Sequence, residues 1–191
     1  MFVRFFSAAL VLAVALPALA AEDVPLPPLT PKGEYLVMTQ DDATSSSKCI
    51  GNPVTPMCAV ETVMACLYRG NDELCRIGMG LDQNPGHGNK RPIPRVLYRV
   101  VTSGILMRSN FPWWSRRDAL TRPGVPAVRE GDVRIDILSR ECDEEVSPTE
   151  CHWPFAPITY VVRRLQDGWA VMTWGPAYDP RDRPDAGQGR L

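Results

Sequence analysis

Six cysteines are the residues best placed to do chemistry in this 191-residue chain, and they fall into three C-x8-C pairs: Cys49 with Cys58, Cys66 with Cys75, Cys142 with Cys151. Thiols at such positions can bind metal, exchange electrons or cross-link the chain. Metal binding calls for converging C-x2-4-C pairs, which an eight-residue gap does not form. Haem attachment at Cys151-His152 requires a cysteine where Pro148 stands. A redox centre of the usual kind needs C-x-x-C, and there is none. Cross-linking remains, so the cysteines read as structural disulfides, each small ring adding roughly 2 to 3 kcal/mol. Six cysteines allow fifteen connectivities. Pairing of neighbours is preferred, because Cys58 and Cys66 fall on one predicted helix about 12 Å apart, beyond the reach of a direct bond. Cys66 to Cys75 then ties two helices, Cys142 to Cys151 closes a loop between strands, and Cys49 to Cys58 pins the segment before the first helix.

The two histidines are the next candidates. His87 lies in a Pro-Gly-His-Gly-Asn loop, and His152 stands beside Cys151 with Glu150, Asp143 and Glu144 close in sequence. Both read as solvated loop residues, with His152 the better candidate for a proton or surface metal site. A calcium loop starting at Asp82 fails at Ile93, where the bidentate Glu belongs, and Gly78 to Gly88 lacks the Gly-Lys-Ser/Thr of a phosphate loop. No metal or cofactor is expected. Phe111-Pro112-Trp113-Trp114 followed by Arg116 and Arg117 has the composition of a binding hot spot. Trp113, Trp114, Arg116 and Arg117 are therefore the binding candidates, the alternative being a lid over one end of a sheet.

These residues must be positioned by elements that the sequence marks in order. Thr55 can cap a helix, Pro56 suits its first position, Val60, Val63, Met64 and Leu67 form an apolar stripe, and Gly70 ends it. Asn71 can cap a second, shorter helix over 72–77, with Gly78 as its stop. Strands are predicted over 34–39, 95–102 with a continuation at 105–108, and 132–140. In the last of these Val133, Ile135 and Ile137 share one face, and Arg134, Asp136 and Leu138 the other. A closing hairpin joins 158–165 to 169–174 through Gln166-Asp167-Gly168, whose Asp-Gly pair supplies positive φ angles. The fold class is α+β: an N-terminal helix and a short second helix packed on an antiparallel, curved sheet stapled by disulfides.

Helix, short helix and an antiparallel sheet ending in YVVRRLQDGWAVMTW resembles the nuclear transport factor two-like superfamily, a cone-shaped α+β fold. ETVMACLYRGNDELCRIG, 61–78, is similar to that family's opening helices, and the resemblance spans Thr55 to Trp174. The cysteine pairs and the long 111–131 segment depart from the family pattern. Enzymes of the superfamily use Asp, His or Tyr side chains between helix and concave sheet, where burial raises a carboxylate pKa. The resemblance thus makes Asp136, Tyr98, Tyr160 and His152 the catalytic candidates, with Trp169 and Trp174 as apolar walls. The residues themselves carry a competing reading. Asp136 alternates with Arg134 on the expected solvent face, as a cross-strand ion pair would, while Tyr98 and Tyr160 are ordinary strand residues.

Composition sets the setting. Met1 to Ala20 reads as an export signal, with Arg4, an apolar run over 5–16 and an Ala-Leu-Ala cleavage site. The run is too short to span a bilayer, so no stable membrane anchor is expected after cleavage. Three of the 21 basic residues are Lys and the rest Arg, a bias that points to a GC-rich bacterial genome and a periplasmic or secreted protein. A net charge of −1 leaves no field to attract nucleic acid. The expected organisation is a signal over 1–20, a proline-rich linker and N-terminal segment over 21–48, one domain over 49–175 and a flexible tail over 176–191. The functional expectation is a non-catalytic binding or accessory domain for a small molecule or a periplasmic protein. The alternatives are an isomerase- or dehydratase-like enzyme using a pocket carboxylate, and a secreted inhibitor or envelope structural protein.

Overall fold

A computed structural model describes residues 23–79, 92–115, 128–142, 151 and 156–177. His87, His152, Arg116, Arg117, the expected signal and most of the expected tail lie outside them. Among the described residues, two α-helices pack on a five-stranded antiparallel sheet that does not close. The strands are β1 (Leu36–Thr39), β2 (Arg95–Ile105), β3 (Val133–Cys142), β4 (Ile158–Leu165) and β5 (Gly168–Pro176), in the sheet order β1-β2-β3-β4-β5. Helix α1 (Pro56–Arg69) and helix α2 (Asp72–Met79) precede β2 and lie against β4 and β5.

Local chemistry explains the helices. The Thr55 hydroxyl accepts from the Cys58 N–H, Pro56 opens the first turn, and Gly70 closes α1 in the left-handed conformation with its N–H on the Cys66 carbonyl. Asn71 Oδ1 accepts from the Glu73 and Leu74 N–H groups and so caps α2. Gly78 is not the stop that the sequence suggests: α2 runs through it to Met79. A Cβ there would stand 2.7 Å from Val63 Cγ2, so glycine is needed for the close approach of α2 to α1. Pro56 and every residue of α1 from Cys58 to Cys66 are buried, which makes this helix the spine of the core.

In the sheet, Val96, Tyr98 and Val100 of β2 and Ile135 and Ile137 of β3 point toward the helices, meeting Val60, Val63 and Met64. Tyr160 and Val162 continue that face on β4. β2 is one strand where two were expected. A bulge between Val100 and Thr102 absorbs the irregularity, and Gly104 pairs with Arg134 instead of breaking the strand. β1 falls within the strand expected over 34–39, and the proline-rich stretch before it runs beside β2, with the Thr30 N–H on the Val100 carbonyl and Ser103 Oγ donating to the Pro27 carbonyl. The hairpin turn is the two residues Gln166 and Asp167. Only Gly168 takes a positive φ, 140°, so the demand falls on Gly168 alone and not on the Asp-Gly pair. A Cβ on Gly168 would also stand 2.8 Å from the Pro53 carbonyl oxygen, to which the Trp169 N–H donates.

Three disulfides join Cys49 to Cys58, Cys66 to Cys75 and Cys142 to Cys151, with Cα–Cα distances of 5.4, 5.0 and 4.2 Å. This is the neighbour map. The first holds the loop before α1, the second links α1 to α2, and the third starts from the end of β3.

Candidate functional site

The core contains one ionisable group on its main helix. Glu61 is 6% exposed, flanked on α1 by Val60 and Thr62, and faces the sheet. A carboxylate there requires donors, and two distant parts of the chain supply them. Tyr98, brought inward by the alternation of β2, donates its hydroxyl to Glu61 Oε1 at 2.6 Å. Ser47, on the loop that runs back from β1, donates to Oε2 at 2.5 Å. That loop is fixed at both ends. The Ser46 N–H bonds back to the Val37 carbonyl, and Gly51 N donates to Thr62 Oγ1, itself bonded to the Cys58 carbonyl. The Cys49–Cys58 disulfide lies against the carboxylate, with Cys49 Sγ 3.5 Å from Oε2.

Burial raises the Glu61 pKa above the ordinary carboxylate range, and the Ser47 and Tyr98 hydroxyls pull it back only in part. The Tyr98 phenol is pushed strongly upward, first by burial and then by the adjacent Glu61 charge, so it stays a hydrogen-bond donor at any working pH. Tyr160 is fully buried and likewise raised, by burial and then by neighbouring Tyr68. Tyr68 shares a hydrogen bond with Ser139, hydroxyl to hydroxyl, at 3.2 Å. Of the residues singled out from the sequence, Tyr98 and Tyr160 therefore share the helix-facing side of the sheet. Glu61 and Ser47 were missed. Glu61 was legible as the one charged residue in the stretch from Pro56 to Tyr68, but a single carboxylate beside an apolar stripe is also what a helix edge looks like.

Asp136 lies elsewhere, on the opposite face of the sheet. It is buried, not on a solvent face. Its partner is Arg134, two residues along the same strand and not across strands: Arg134 Nε and Nη2 donate to Oδ1 and Oδ2 at 2.9 and 2.8 Å, and Thr159 Oγ1 donates to Oδ1 at 2.7 Å. Asp132 repeats the arrangement with Arg163, which bonds both of its oxygens, while the Arg129 N–H donates to Oδ2. The two-pronged Arg bond at both sites makes each Asp the counter-ion of a guanidinium.

The segment after β2 contains the aromatic cluster. Trp114 is 6% exposed and packs with Leu106 and Val161, Phe111 and Trp113 closing in around them. Its indole N–H donates to the Pro176 carbonyl at 2.9 Å, and its ring lies so close to Gly175 that a Cβ there would stand 2.6 Å from Cε2. Trp114 is thus a buried clamp on β5 and not an exposed platform, and Trp113 is half-buried beside it. Among the described residues there is no cluster of three or more metal-ligating side chains, and no helix is long and apolar enough to cross a membrane.

The fold and site define a disulfide-stapled α+β domain of the helix-on-antiparallel-sheet class. Comparison with known proteins finds no matching family model, no similar curated protein and no similar solved structure.

Proposed function

We propose that this chain is an exported, periplasmic or secreted, non-catalytic binding or accessory domain. The observation that carries the reading is the closure of its buried aspartates. Asp132 and Asp136 each have both oxygens engaged by an Arg side chain and a further protein donor, which suits stability better than turnover. Three disulfides favour an oxidising compartment, and the signal-like start at Met1 agrees with export.

The enzyme reading has one observation in its favour. Glu61 and Tyr98 lie between helix and sheet, where the nuclear transport factor two-like resemblance expects working side chains, and the Glu61 pKa is raised as a general acid's would be. A native mass spectrum of the protein purified from an oxidising periplasm without reductant separates the two. A bare protein lacking the signal and six thiol hydrogens supports the accessory domain. A retained small molecule that the protein chemically converts, and that Tyr98→Phe no longer converts, supports the enzyme; one retained unchanged supports the binding domain.

A further inference from the structure

The three disulfides differ in what surrounds their sulfurs. Cys66 and Cys75 are 0% and 1% exposed between α1 and α2, which shuts out any attacking thiolate. Cys142 is buried, and the Arg140 carbonyl oxygen lies 3.8 Å from its sulfur, a neighbour that disfavours thiolate charge. Cys49 and Cys151 are both half-buried, each with an enclosed partner, Cys58 and Cys142, so what sets the first pair apart is the chemistry around its sulfurs. Cys58 is the third residue of the 14-residue helix α1, so a thiolate there meets the positive end of the helix. The Thr55 hydroxyl sits 3.0 Å from its sulfur, in position to donate. On the other side, the Glu61 carboxyl stands 3.5 Å from Cys49 Sγ, with the Ser47 hydroxyl 3.6 Å from the same sulfur.

We propose that Cys49–Cys58 is a thiol-exchange site of this protein, taking electrons from a dithiol at Cys49 with Cys58 as the leaving sulfur. A thiolate of the dithiol attacks Cys49 Sγ; the S–S bond breaks and its electron pair goes to Cys58, held by Thr55 and the start of α1. The second thiol of the dithiol then attacks its own sulfur in the mixed disulfide. Cys49 departs with the bonding pair and takes a proton from Glu61, which is refilled from the attacking thiol. The proton of the second thiol ends on Cys49, the negative charge of the attacking thiolate ends on Cys58, the dithiol becomes a cyclic disulfide, and two electrons have moved. Burial holds a proton on Glu61 more readily than on an ordinary carboxyl, which suits that donor role. The break removes the covalent tether of the loop whose Pro53 carbonyl anchors the Trp169 N–H of β5.

The test uses the folded, fully oxidised protein with limiting dithiothreitol, quenched by alkylation and read by peptide mapping. Cys49 and Cys58 are expected to label first, at least about tenfold faster than the other pairs, given the dependence of exchange on access and on the leaving thiol's pKa. The transient dithiothreitol adduct is expected on Cys49. Thr55→Val should slow opening of this pair alone, and Glu61→Gln should make the Cys49 adduct accumulate, which a purely structural carboxylate would not do. Simultaneous opening of all three pairs, first labelling at Cys142 and Cys151, or an adduct on Cys58 would overturn the proposal. The labelling order in the unaltered protein decides it even if either variant fails to fold.

Discussion

Glu61 concentrates the residue-scale physics, because its carboxylate is held by two hydroxyls in a core that otherwise offers it only apolar neighbours. Removing one donor leaves a buried acceptor short of a bond, so Tyr98→Phe is expected to cost about 2 kcal/mol in urea unfolding. The raised Glu61 pKa has a definite sign in the stability curve. Below the unfolded pKa the proton is bound in both states; above it, the folded protein binds the proton more tightly than the unfolded chain does. The group's contribution is therefore present in acid and lost as pH rises through its raised folded pKa. Glu61→Gln should flatten that fall, visible as a smaller difference between urea midpoints at pH 4.5 and pH 7 than the unaltered protein shows; an equal difference would mean that Glu61 is not the titrating group. Asp136→Asn leaves Arg134 without its counter-charge and is expected to destabilise by about 3 kcal/mol without touching any binding property. Tyr98 and Asp136 were both visible in the sequence, yet their roles were not. Alternation says which face a strand residue takes, but it does not say what covers that face.

At the scale of elements, the sequence signals that depend on backbone chemistry were the legible ones. Thr55, Pro56, Gly70 and Asn71 mark helix ends at the positions where caps and turns form, and the hydrophobic alternation of 132–140 marks β3 (Val133–Cys142). Signals that depend on what another element does were misread. Gly78 serves a helix crossing, Gly104 lies within a paired strand, and Trp114 answers a glycine 61 residues later in the chain. Each is a contact between distant segments, so no local pattern encodes it. The crossing is testable: Gly78→Ala forces a methyl against Val63 and is expected to cost about 2 kcal/mol, at the middle of the range for overpacking. Replacing Cys66 and Cys75 by Ala releases a nine-residue separation between the same helices and should cost about 2.5 to 3 kcal/mol, measured by thermal or urea unfolding of the otherwise oxidised protein. Gly175→Ala is expected to displace Trp114, read as a red shift of its emission on gaining solvent.

For the whole molecule, the sheet covers both of its faces with material from one chain: helices on one side, the segment after β2 on the other. That sandwiching is why the aromatic cluster is structural, and it was the least legible feature because nothing in 106–115 carries a periodic pattern. The disulfide map has a consequence for biogenesis. All three bonds join cysteines nine positions apart, each to the next in the chain, so closure requires only a short local encounter. Of the two competing neighbour pairs, Cys75 with Cys142 must close a far longer loop, and Cys58 with Cys66 is held about 12 Å apart once α1 winds. A chain met by an oxidant from its N-terminal end therefore pairs its first cysteine with its second, its third with its fourth and its fifth with its sixth, and arrives at the native connectivity with no reshuffling. Maturation of this protein should be indifferent to a disulfide isomerase and sensitive only to the supply of oxidant.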